Sequence, residues 1–271
     1  MDTQSSNACR TTCRTIHRTT RQRITLATSF FFLLLPVVVL ADVCSYEKTV
    51  AFTVPAESIN QLEIDAHAGS LVVEAASGSS EISVVGTVCS SRKSELVDMD
   101  VLQSREGSVL KLETLIPEFH GSLWTSRYAY IDLAVTVPAG LAVAIDDGSG
   151  PLDVSGTGNL RIKDGSGEIK VHAIMGNVVI RDGSGELSVE DVDGSVEVRD
   201  GSGAVDISYV MGDVDVEDGS GTLRIAQVGG SVGIHDGSGS IDVRDVQQEV
   251  VIHEDGSGSL DMRRVNIGGG D

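Results

Sequence analysis

The sequence predicts an all-β protein: a single-stranded β-solenoid, or β-helix, with coils of about 18 residues, capped at its N-terminal end by a less regular β region. Three observations carry this. Asp-Gly-Ser-Gly occurs seven times, at 147–150, 164–167, 182–185, 200–203, 218–221, 236–239 and 255–258, at offsets of 17, 18, 18, 18, 18 and 19 residues. Apolar and polar residues alternate between the copies, and no 3.6-residue stripe runs through them.

Each unit has one grammar. After Gly-Ser-Gly come two apolar residues around a polar one: Leu187 and Val189, Val205 and Ile207, Leu223 and Ile225, Ile241 and Val243. A lone valine follows at Val192, Val210, Val228 and Val246, and a glycine at Gly194, Gly212 and Gly230. A second pair closes the unit: Val196 and Val198, Val214 and Val216, Val232 and Ile234, Val250 and Ile252. Alternating β-branched residues punctuated by glycine make short half-buried strands, so a unit holds two strands and two turns. Asp-Gly between apolar runs is also a hairpin signal, and an antiparallel meander shares the parity. The solenoid accounts for more. Stacking sets each residue on its own equivalent one coil away, at ~4.8 Å, which demands identity position by position. A meander has no reason to align Asp, Gly and Ser at every second turn.

Ahead of the repeats, residues 1–23 hold five arginines against one acid, Asp2. An apolar run from Leu26 to Ala41 follows, interrupted by Pro36. This is the pattern of a secretory signal cleaved after Ala41. The rival, an uncleaved anchor, suffers from a core shorter than the roughly 20 residues a bilayer needs. Lipid attachment at Cys44 is disfavoured by the bulky Val43 before it. Loss of residues 1–41 takes the formal charge from −20 to −24, which repels nucleic acid and anionic lipid headgroups. A solvated acidic face that opposes aggregation is its plainest role. Cys44 and Cys89 remain, an even count for an oxidising compartment, and are expected to form one disulfide.

Residues 42–146 form the irregular β region, and 147–271 the regular repeats. Leu62, Ile64, Leu71, Val73, Ile82 and Val84 alternate in short bursts, as do Ile131, Leu133, Val135 and Val137. No Pro/Ser-rich linker separates the two parts. The expectation is one continuous domain whose first part is a degenerate continuation of the solenoid.

The signal segment, the Ala-Gly-Ser-Leu-Val-Val run at 68–73, the Asp-Leu-Ala-Val-Thr-Val-Pro-Ala-Gly run at 132–140 and the Ser-Gly-centred repeats resemble, in that order, the bacterial putative adhesin family of β-strand-repeat domains. The resemblance covers most of the chain after residue 41. It implies a β-solenoid outside the cytoplasm, periplasmic, outer-envelope or secreted, and brings no catalytic residues with it.

Candidate chemistry is sparse. The seven Gly-Ser-Gly serines lack the glycine two residues ahead that a hydrolase elbow needs; Asp stands there instead. Asp and Ser in tight turns bond nearby amides, and that is the reading adopted for them. Asp164, Asp182, Asp200, Asp218, Asp236 and Asp255 would stack as a column, where carboxylates repel unless turn amides, the preceding Lys163, Arg181 and Arg199, or a cation such as Ca²⁺ compensates them. No other cofactor is indicated. His235 and His253 fall at equivalent positions, with Glu217 one unit earlier, and together form a second metal candidate; Glu254 is an inserted residue that should bulge the coil. Phe119, Trp124, Tyr128 and Tyr130 gather most of the aromatics, to pack the cap or to grip a partner.

The function expected is a non-catalytic, adhesin-like binding or surface-presenting role toward an envelope, surface or matrix component, by a monomer with no membrane segment once the signal is gone. The competing readings are an element that assembles end to end and a carbohydrate-active enzyme on a β-helix scaffold. The enzyme needs paired acids in a cleft, and the sequence singles out none.

Overall fold

The computed structural model describes residues 44–117 and 127–268. The signal segment, Phe119 and Trp124 lie outside the described residues. In the repeats the strands come in pairs, one short and one long: β10 (Leu160–Asp164) and β11 (Gly167–Ile174), β12 (Val178–Asp182) and β13 (Gly185–Val192), β14 (Val196–Asp200) and β15 (Gly203–Val210). The pattern continues through β16 (Val214–Asp218) and β17 (Gly221–Val228), then β18 (Val232–Asp236) and β19 (Gly239–Val246). It ends in β20 (Glu249–Asp255), β21 (Gly258–Arg263) and β22 (Asn266–Ile267).

In the repeats long strands pair with long ones and short with short, always in parallel, and with the N-terminal strands they make two sheets of eleven strands each. Val196 sits on Val178 and under Val214, and Val205 on Leu187 and under Leu223. This is a solenoid and not a meander. The inward valines, leucines and isoleucines of the repeats through Val250 are buried between the sheets, whereas Leu260 in the last coil is exposed.

The turns explain the repeated tetrapeptide. A Cβ on Gly183 would lie 2.5 Å from the Gly165 carbonyl oxygen, and one on Gly185 only 1.7 Å from that of Gly167. Gly185 also has φ +150°, a conformation side chains rarely adopt. Backbone bonds join the stacked turns: Gly183 N–H donates to Asp164 O at 3.2 Å, and Gly185 N–H to Ser202 O at 3.1 Å. At the opposite turn, side chains add to backbone bonds such as Gly212 N–H to Gly194 O at 3.0 Å. Asn159 Oδ1 accepts from Asn177 N–H, Asn177 Oδ1 from Ser195 N–H, and Ser195 Oγ from Asp213 N–H, at 2.9, 2.9 and 3.1 Å.

The lone valine needs its own device. Strict alternation would send Val192 outward when Val189 points inward. Asp191 takes φ 61°, as do its counterparts Ala173, Tyr209, Gln227 and Asp245 at 56–58°, and drops out of the pairing. The phase shifts by one, and Val192 is buried.

The N-terminal region departs from a sequential solenoid. Its strands are β1 (Tyr46–Pro55), β2 (Gln61–Asp65), β3 (Leu71–Ala76), β4 (Glu81–Ser90), β5 (Asp100–Glu106), β6 (Val109–Leu115), β7 (Ala129–Pro138), β8 (Ala142–Asp147) and β9 (Leu152–Ser155). The coil β2–β3 stacks directly on β8–β9, across the 65 intervening residues 77–141, and β6 and β7 lie on its other side. Strands β1, β4 and β5 then close the two sheets in antiparallel pairing. The N-terminal strands extend both sheets of the solenoid, in a permuted order and not coil after coil. Antiparallel edges end a stack that parallel coils would leave open.

Two substitutions check this register. Val214→Asp, at a position 1% exposed, should destabilise the protein by on the order of 4 kcal/mol, whereas the exposed Asp215→Lys should change it by under about 0.5 kcal/mol in urea unfolding. Gly185→Ala should cost on the order of 3 kcal/mol, because left-handed strain and overlap with Gly167 act together. Gly78→Ala, with φ +78° and open space around it, should cost only about 1 kcal/mol.

Candidate functional site

Strand alternation assigns the chemistry of the repeats to two faces. In β10, Leu160, Ile162 and Asp164 turn inward, while Arg161 and Lys163 turn to solvent. Every short strand through β18 repeats that choice at its final aspartate. The register therefore places Asp147, Asp164, Asp182, Asp200, Asp218, Asp236 and Asp255 in one column. The first six are 1–7% exposed, and Asp255 is exposed. Asp147, which precedes the six residues expected from the sequence, belongs to the buried set.

Burial raises all six carboxyls above the ordinary aspartate value. Asp164 and Asp200 go furthest, to about 6: burial acts first, then the negative neighbours one coil to either side. Turn amides oppose the rise. Asp182 Oδ1 accepts from Ser184 N–H at 3.2 Å, and Asp218 Oδ1 from Ser220 N–H at 3.1 Å. Of the compensating groups the sequence offered, the turn amides do this work, and Lys163, Arg181 and Arg199 do not. They sit one residue away, on the opposite face of the same strands.

That outer face has its own columns. Lys163, Arg181 and Arg199 are consecutive partners, flanked by Asp146 and Glu217. Lys163 pairs with Asp146 at 2.9 Å, and Arg199 with Glu197 and Glu217 at 3.5 and 3.3 Å. Among the described residues, Arg161 and Arg181 have no ion pair. An open groove of about 600 Å³ runs past Arg181, Arg199, Glu217 and His235.

His235 and His253 are brought together with their rings stacked, 4.4 Å apart and 9° from parallel. They are not register partners: the bulge pairs His235 with Glu254 and leaves His253 as the extra residue. Stacked parallel imidazoles aim their lone pairs side by side and not at one point. Among the described residues no three His, Cys, Asp or Glu side chains converge to hold a metal ion.

The cap uses the remaining candidates. Cys44 is bonded to Cys89, which fastens the chain ahead of β1 to the end of β4. The Tyr128 hydroxyl lies 3.1 Å from Ser45 N–H and 2.7 Å from Ser45 Oγ, and its ring centroid is 6.3 Å from that of Tyr130. Glu95 is buried against Ser90 Oγ and Arg127, whose guanidinium is 2.6 Å away. The polar end of Tyr128 thus secures the first residues of the cap. At the far end, Arg263 and Arg264 are held by Asp261 and Asp245.

No protein-family model matches the chain, and no curated protein does. Among solved structures it is similar to a putative cell adhesion protein from Clostridium sporogenes, with 13% identity and a TM-score of 0.32 over 81% of this chain and 100% of that one. A putative adhesin from Bacteroides fragilis is 12% identical, with a TM-score of 0.32, over 81% and 97% of the two chains. A third, from Parabacteroides merdae, is 11% identical, with a TM-score of 0.31, over 82% and 97%.

The cap geometry makes a direct prediction. Replacing Cys44 and Cys89 with serine opens a loop of sequence separation 45, an entropic loss of up to about 4 kcal/mol. Hydrogen exchange should speed up in β1 and its partner β4 while the repeat strands keep their protection. Uniform acceleration across all strands would show that the cap and the repeats unfold as one unit.

Proposed function

We propose that this chain is a non-catalytic, exported binding protein that works as an adhesin: a rigid solenoid that presents its outer sheet faces to a component of the bacterial envelope, surface or matrix. The observation that carries the reading is the arrangement of the outward positions. They form columns at ~4.8 Å intervals, held in register by the stacked strands from β8 to β18. Where Lys163, Arg181 and Arg199 follow one another beside Arg161, such a column sets cations in a row on a chain of net charge −20. Like charges directly opposite each other across strands destabilise a sheet. Arg161 and Arg181 therefore stand ready for anionic groups on an extended partner. The serines and glycines of the repeat are occupied by turn geometry, and the inward aspartates Asp147 to Asp236 are buried. No helix among the described residues is long and apolar enough to cross a membrane.

Residues 42–271, fluorescently labelled, should bind whole bacterial cells and immobilised alginate, a polyanionic glycan used as the probe. Added salt should weaken the binding, as it does for any exposed charge contact. Arg161→Ser combined with Arg181→Ser should lower it by about tenfold, roughly 0.7 kcal/mol per site. Retention unaffected by both salt and the double variant would move the binding face elsewhere. Release of new reducing ends from the glycan would replace this reading with the enzymatic one.

A further inference from the structure

The buried aspartates hold an alternation that the repeated sequence does not show. Of Asp147, Asp182 and Asp218, each has one buried oxygen, Oδ2, without a hydrogen-bond partner. Of Asp164, Asp200 and Asp236, each has both oxygens buried and unpartnered. The two kinds alternate coil by coil. The strand register sets Asp164 between Asp147 and Asp182, and Asp200 between Asp182 and Asp218, each one coil apart. Six ionised carboxylates at this spacing, out of water, would repel strongly. Six neutral acids would waste the amide bonds that Asp182 and Asp218 accept.

We propose that the column is a proton-sharing ladder, in which Asp164, Asp200 and Asp236 carry protons and donate them to ionised Asp147, Asp182 and Asp218 on the neighbouring coils. The unpartnered oxygens then find partners in one another. Members with one oxygen left unpartnered act as acceptors and those with two as donors, with O–H···O⁻ bonds stronger than neutral ones. The protons come from solvent, and no other ligand is needed. Backbone N–H groups already occupy the approach to the anchored carboxylates, so the site is built for negative charge and its hydrogens and not for a metal's ring of oxygens. The charged groups that act on the column are its own members, His67 and Asp146 at Asp147, and Asp255 at Asp236.

The ladder makes the solenoid sensitive to pH. Asp164 and Asp200 sit at about 6 in the fold against an ordinary 3.8, so the folded state holds protons that the unfolded chain has released. Stability from these groups is complete below 3.8 and is lost as pH rises through about 6. The titration is that of a coupled set, spread among the column members.

Thermal unfolding of residues 42–271 between pH 4.5 and 8, without divalent cations, should show a falling melting temperature centred near pH 6. Asp164→Asn with Asp200→Asn keeps the donors without the titration, and should remove that step and raise the midpoint at pH 8. The exposed pair Asp193→Asn and Asp215→Asn should leave the step in place. If the inward double variant fails to fold, carboxyl ¹³C NMR on the unaltered protein decides: at least two aspartates should titrate near 6, apart from the rest. All aspartates titrating below 5 would overturn the ladder. So would a column stabilised at pH 8 by added Ca²⁺ and no longer by Ca²⁺ in the inward double variant, which would assign it to a cation.

Discussion

Everything in the repeat region depends on one close approach: the turn of each coil rests on the turn below with no room for a side chain between them. The carbonyl of Gly167 occupies the space that a Cβ of Gly185 would fill, and the same holds at each coil. Backbone hydrogen bonds between stacked turns tolerate no slip of register. The first consequence is that residues face their own counterparts. The second is that any residue type placed in the repeat becomes a column. For valine and isoleucine this is benign, since like packs on like and the core fills evenly. For aspartate it is not, because repetition brings carboxyls within reach of one another where water is absent. The same constraint thus generates both the stability of the core and its one electrostatic problem.

Much of this was legible beforehand, for a physical reason. A period near 18 with invariant Gly positions leaves few ways to stack, and alternation assigns Val214 inward and Asp215 outward without further information. The same alternation could have shown that Lys163, Arg181 and Arg199 point away from the aspartates they precede; odd separation along a strand means opposite faces. Asp147 heads the first copy of the tetrapeptide and, one coil from Asp164 in regular register, belongs to the same column. Other features lay beyond the sequence. The left-handed residues at Asp191 and its counterparts have no shared identity, being Ala, Asp, Tyr and Gln by turns, so only the misplaced valine after them gives a sign. The bulge was expected at Glu254, but pairing across coils sets Glu254 on His235 and makes His253 the extra residue.

The order of the first coils was the least readable. Strands β2, β3, β6 and β7 carry similar alternation, and nothing local says that 61–76 must lie on 142–155 and not on the strands that follow it in sequence. Long-range pairing of this kind is selected by the fit of whole faces. It also serves the fold, because inserting β4 to β7 between two adjacent coils lets antiparallel strands close the end of both sheets. In a stack where each coil meets only its neighbours, the terminal unit has to differ from the rest. Here the difference is achieved by topology together with a disulfide, and the repeats beyond need no further cap at that end.

Cysteine cross-linking tests the stacking register, on which the rest stands, most directly. Glu190 and Ser208 are partners on adjacent long strands, so cysteines at these two sites should join in high yield under mild oxidation. Ser188 and Glu197 belong to different sheets and face opposite sides, and cysteines there should remain free. In an antiparallel meander folded at the turn between them, that second pair would be neighbours. Efficient linkage of residues 188 and 197, with none between 190 and 208, would contradict the solenoid and every column derived from it.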